Sequence, residues 1–151
     1  MEEHMVTTIR DNIAVRLLAV LGSEFSKLSY MSDVSQNKFG RANKRFGVIP
    51  KSALATSGVN GLDTLDHSFE VILTDGYLSG ALAQINDELK TERIGELQDR
   101  ALLIYKDLQV NKGFLDSKVL IVNGLSMSEI EYLDEEKVAI LRFEINIKYK
   151  T

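Results

Sequence analysis

Residues 138–149 constrain the fold of this chain more than any other stretch. Ala139, Leu141, Phe143, Ile145, Ile147 and Tyr149 recur at every second position, with Arg142, Glu144, Asn146 and Lys148 between them. Successive side chains of a strand point to opposite faces, so this pattern makes one long amphipathic strand, at a sheet edge or next to it. An apolar face of that length has to be covered by another layer. Residues 64–74, TLDHSFEVILT, repeat the pattern. Leu65, His67, Phe69, Val71 and Leu73 lie on one side and Asp66, Ser68, Glu70 and Thr74 on the other, with Ile72 as the exception.

The covering layer is legible as helices. Val6, Ile9, Ile13, Leu17 and Val20 step by three and four through residues 6–21, and Gly22 suits the helix end. Between 78 and 108 two apolar stripes follow each other. Leu78, Leu82, Ile85 and Leu89 form the first; Leu97, Ala101, Ile104 and Leu108 form the second, rotated by roughly a third of a turn. One straight helix cannot bury both against one sheet, so two helices meeting between 90 and 95 are predicted. A short strand is predicted around 25–30, and 117–123, SKVLIVN, reads as a central, well-covered strand.

These elements make an α+β domain spanning residues 1–151, with a mostly antiparallel sheet and helices packed on one face. A length of 151 residues suits one domain with a sizeable core. The chain has no Cys, which excludes disulfides and thiolate metal sites. The acidic start MEEHMVTT is unlike a signal peptide, and no run of about 18 apolar residues suggests a membrane span.

Catalytic and ligand-binding patterns are sparse. The histidines are His4 and His67; His67, on an apolar strand face, reads as a core histidine with one hydrogen bond. Asp66 and His67 face opposite sides of a strand and cannot pair. No Gly-x-Ser-x-Gly elbow occurs, and GRANKRFG lacks the Gly-Lys-Ser/Thr ending of a P-loop. No enzymatic activity, cofactor, metal or small-molecule substrate is expected.

Charge segregation is the feature that asks for a partner. The net charge is −4, yet no Asp or Glu occurs from 34 to 62, where Lys38, Arg41, Lys44, Arg45 and Lys51 all fall. The segment is dotted with Gly40, Gly47, Gly58, Gly61 and Pro50, and reads as a long projecting loop at about 33–61, with FGVIP able to form a few residues of strand. Three readings stay open. It is a solvated loop; or it binds nucleic acid, with Lys38, Arg41, Lys44 and Arg45 on phosphates and Phe39 and Phe46 stacking; or it docks on an acidic surface. Glu129, Glu131, Asp134, Glu135 and Glu136, in SEIEYLDEEK, supply such a surface within the same sequence. Patches that cannot meet within one molecule can meet between copies, head to tail, and such contacts close into rings when the rotation allows.

NKFGRANKRFGVIP, LDHSFEVILTDGY and EIEYLDEEKVAILRFEINIKYK, in this order, resemble the tail-terminator (neck) proteins of contractile-tailed and other long-tailed bacteriophages. The resemblance implies a structural virion protein of the tail-neck region, made in the host cytoplasm. It implies a ring, commonly hexameric, on top of the tail tube, which stops tube and sheath growth and faces the head-side connector. The loop at 33–61 is then expected toward the tube, the neighbouring subunit or the DNA channel. Other neck, head-completion or tail-tube proteins share this texture, and a small nucleic-acid-binding module is a further alternative.

Overall fold

The computed structural model describes residues 4–27, 44–57, 63–76, 78–79, 84–85, 87–133 and 138–150. Helix α1, Met5–Leu21, forms where the first apolar stripe was read. Ile9, Ile13, Ala14 and Leu17 are buried, and Val6 and Val20 pack at the margin of the core. Gly22 ends it at φ 87° and ψ −179°, a backbone region that is essentially glycine's alone. Its N–H donates to Leu18 O at 2.9 Å.

The main sheet is assembled from β1 (Ser26–Lys27), β2 (Arg45–Ser57), β3 (Asp63–Gly76), β6 (Val119–Met127), β7 (Glu131–Leu133) and β8 (Val138–Lys150). Its order is β1-β2-β3-β8-β6, with β7 also paired to β8. β1 runs parallel to β2; the other pairings are antiparallel. Alternation decides the core. Leu141, Phe143, Ile145, Ile147 and Tyr149 of β8 face the same side as Phe69, Val71 and Leu73 of β3, and all are buried. Helices α2 (Asp87–Val110) and α3 (Lys112–Leu115) join α1 over that side, adding Leu97, Ala101, Ile104, Leu108 and Leu115. Arg16 ties α1 to α2 through a two-pronged contact with Asp107, at 2.6 and 2.9 Å. The exception in β3 has a use: Ile72 joins Ile49, Val138 and Ile140 in a second, smaller cluster on the opposite face.

Three expectations need correction. The stripe at 78–89 is not a helix of its own. Its first part is a pair of short antiparallel strands, β4 (Leu78–Ser79) and β5 (Gln84–Ile85), and α2 begins only at Asp87. The apparent rotation of the apolar face marks a change of element, not a bend between two helices. Second, the predicted loop at 33–61 contains the 13-residue strand β2. Pro50 sits beside a register shift between Pro50 and Ala53, in the kind of edge position where a missing N–H is tolerated. Third, 117–123 is not central: β6 lies at the sheet edge, with Leu120 and Ile121 exposed. A register shift between Val119 and Ile121 lets Val119 and Val122, three residues apart, both face the core, which makes a one-sided strand look continuously apolar. Of the two places expected for 138–149, at a sheet edge or next to it, β8 takes the second, between β3 and the edge strand β6. The predicted strand at 25–30 is observed at Ser26–Lys27, and 28–30 lie outside the described residues.

Candidate subunit-contact surface

Lys44, at the described end of the basic segment, sits where the chain enters β2. Its Nζ is 3.0 Å from Glu24, 4.0 Å from Asp75, and 5.7 Å from the centre of the Phe25 ring. The Glu24 carboxyl is held below its usual range, first by the hydrogen bond from Lys44 and then by the charge of Lys44. Arg45 follows with its backbone N–H donating to Thr74 Oγ1 at 3.0 Å. Phe46, expected at a contact surface, is fully buried in the core. The pleat of β2 turns it inward beside Leu73, its cross-strand partner.

Asp75 forms the hub of this corner. Its side chain is only 3% exposed and lies 3.0 Å from Arg100 and 3.6 Å from Arg93. Its Oδ1 accepts from the Gly76 N–H at 2.8 Å. Arg93 also donates to Gly76 O at 2.7 Å and pairs with Glu96 at 2.6 Å, while Arg100 lies 5.1 Å from the Phe25 ring centre. One buried carboxylate thus joins the start of β2, the end of β3 and one side of α2. In the sequence, Asp75 passes for a turn or cap residue. The available signal is the spacing of Arg93 and Arg100, seven apart and so on one helix face, opposite a strand-terminal acid.

A second network serves the acidic side. Arg142 pairs with Glu70 at 3.3 Å and with Glu131 at 3.6 Å, and Lys51 reaches Glu70 at 3.8 Å. Among the described residues it shares no member with the first, and it includes Lys51 of the basic segment. Glu129 is exposed. Lys38, Phe39 and Arg41, and likewise Asp134, Glu135 and Glu136, lie outside the described residues.

His67 is buried, with its Nδ1 3.0 Å from the Tyr149 hydroxyl and its ring against Phe69. Burial lowers the imidazole pKa below 6.5 and raises that of the Tyr149 phenol above 10. Among the described residues no three His, Cys, Asp or Glu side chains group as a metal site, and no helix is long and apolar enough to cross a membrane.

The remaining surface feature is a β-ribbon. Residues 51–57 of β2 are exposed on both faces, and past the register shift between Pro50 and Ala53 residues 53–57 pair with 63–67 of β3. Leu54 is 68% exposed. Where the ribbon meets α1, a groove of about 450 Å³ is lined by His4, Met5, Val6, Thr7, Leu65, Lys118 and Tyr149.

No protein-family model matches the sequence, and no curated protein does. Among solved structures, the chain is similar to one from the virion of a native gene transfer agent particle, at 8% identity and a TM-score of 0.47. That similarity covers 99% of this chain and 100% of the other.

Proposed function

We propose that this protein is a non-enzymatic structural subunit of a virion, a tail terminator that forms a ring on the tail tube and joins it to the head-side connector. The observation that carries the reading is that, among the described residues, the ion pairs of Lys44 and those of Glu131 share no member. Lys44 is bound to Glu24 and Asp75, and Glu131 to Arg142, so Lys44 and Glu131 root the two segments in different clusters, while Lys51 of the basic segment reaches the second cluster through Glu70. Their remaining charges, Lys38 and Arg41 on one side and Asp134, Glu135 and Glu136 on the other, suit a contact between copies. Charge matching of this kind sets register and rejects wrong partners more than it adds affinity. Different patches meeting head to tail generate a ring when the rotation between copies closes.

The test has two parts. Lys38→Glu with Arg41→Glu is expected to abolish rings in negative-stain images while leaving the thermal midpoint unchanged. Added to polymerising tail tubes, the wild-type protein is expected to stop growth at one end, with or without sheath protein. Incorporation that lengthens the tube would assign it as a tube component instead. Binding to DNA that weakens steeply with salt, without rings, would move the function to nucleic acid.

A further inference from the structure

The two long edges of the sheet are finished differently. On the β6 side the edge is guarded. Lys112 Nζ donates to Leu120 O at 2.8 Å and Gln109 Nε2 to Val122 O at 3.3 Å. Two register shifts break the strand, one of them beside Gly124 at φ 74°. Natural sheets use such devices against unwanted strand pairing.

The β2 side has one register shift, between Pro50 and Ala53, and past it none of these devices among the described residues. β1 covers only Arg45 and Phe46, and on the side away from β3 no described strand pairs with 51–57. Residues 52–57, SALATS, carry no charge, and every side chain from 51 to 57 is exposed. An uncharged, extended edge of this length is a template for another strand.

We infer that the β2 ribbon pairs antiparallel with the same ribbon of a second copy, centred on Leu54. In that register Leu54 meets Leu54, Ala53 meets Ala55, Ser52 meets Thr56 and Lys51 meets Ser57. No like charges face each other, and the exposed Leu54 side chain gains an apolar neighbour on each copy. The result is a continuous four-stranded layer, β3-β2-β2-β3, across the two copies. The same edge serves both partners, so the contact is isologous and closes at two. With the β6 edge capped, the sheets do not stack on without limit. A head-to-tail ring needs other surfaces, and in it the ribbons link copies from two rings. The inference goes beyond the terminator reading and does not depend on it.

A contact of about seven residues a side is small compared with stable interfaces, so the pairing is weak and is best captured covalently. The chain contains no Cys, so each introduced thiol is unique. Leu54→Cys is expected to give a disulfide-linked dimer on mild oxidation, resolved on a non-reducing gel. Ser57→Cys, far from its own counterpart in the proposed register, is expected to give little. Adding Ser52→Lys and Thr56→Lys to Leu54→Cys places lysines opposite each other twice and is expected to suppress the dimer. Ser52→Lys with Thr56→Glu makes those pairs complementary and restores it. All four positions are exposed, so folding is not at stake. Equal dimer from Leu54→Cys and Ser57→Cys, no dimer from either, or indifference to the lysine pairs overturns the inference. None of these outcomes bears on whether the protein caps tail tubes.

Discussion

Replacing Asp75 by Asn is the sharpest probe of the corner that roots the basic segment. Asn keeps the size of the side chain and an oxygen able to accept from Gly76 N–H, and removes only the charge. Three cations lose their shared counter-ion: Arg100 at 3.0 Å, Arg93 at 3.6 Å and Lys44 at 4.0 Å. Breaking a buried ion pair from one side costs about 3–5 kcal/mol. The three cations are 18–30% exposed and two keep other partners, Glu96 for Arg93 and Glu24 for Lys44, which favours the lower end. A loss of about 3 kcal/mol is a large share of a typical 5–15 kcal/mol domain stability. For a chain of this size it corresponds to a midpoint lowered by roughly 6–12 °C. Urea unfolding followed by far-UV circular dichroism gives the free energy, and a thermal scan gives the midpoint. Glu24→Ala is the control: its side chain is 73% exposed, and its removal should leave both readings nearly unmoved. If Asp75→Asn proves no more damaging than Glu24→Ala, the hub contributes nothing to stability and the reasoning from burial fails.

Three further outcomes are expected. Phe46→Ala should cost about 3–5 kcal/mol as a core truncation, whereas Leu54→Ser should fall within about 0.5 kcal/mol of wild type; comparable losses in urea unfolding would contradict the inward and outward assignments along β2. Because burial lowers the folded pKa of His67, its neutral form favours the fold. That contribution is complete above the unfolded value of about 6.5 and drains away as pH falls through the lower folded value. His67→Gln should therefore flatten the acid-side decline in the midpoint, and an unchanged slope would place the titration elsewhere. Finally, Lys112→Ala with Gln109→Ala uncovers the Leu120 and Val122 carbonyls, and light scattering should then register larger assemblies, with wild-type behaviour counting against a guarding role.

What the sequence disclosed follows from how its signals arise. The runs at 138–149 and 64–74 declare themselves because one side faces a core and the other water, and a period of two survives almost any context. The stripes of α1 and of 97–108 are legible for the same reason at helical spacing. β2 was hidden because Gly47, Pro50 and the surrounding lysines and arginines read as loop chemistry, while its strand character comes from pairing with β3. β6 was misplaced because a register shift makes an edge strand imitate a covered one. In the contact surface, Phe46 shows how a chemical motif of alternating cations and rings can conceal a core position. Asp75 was invisible as a hub because its partners lie 18 and 25 residues away and on another element.

The placement of β8 has a consequence for biosynthesis. β3 is made early, yet one of its flanks pairs along its length with residues 138–150, the last strand in chain order. Until those residues are added, Val71 and Leu73 lack their cross-strand partners Phe143 and Leu141, and the helices lack the inner face of β8. Neither β3 nor β6 can complete its pairing before β8 is available, so the sheet closes through contacts far apart in sequence.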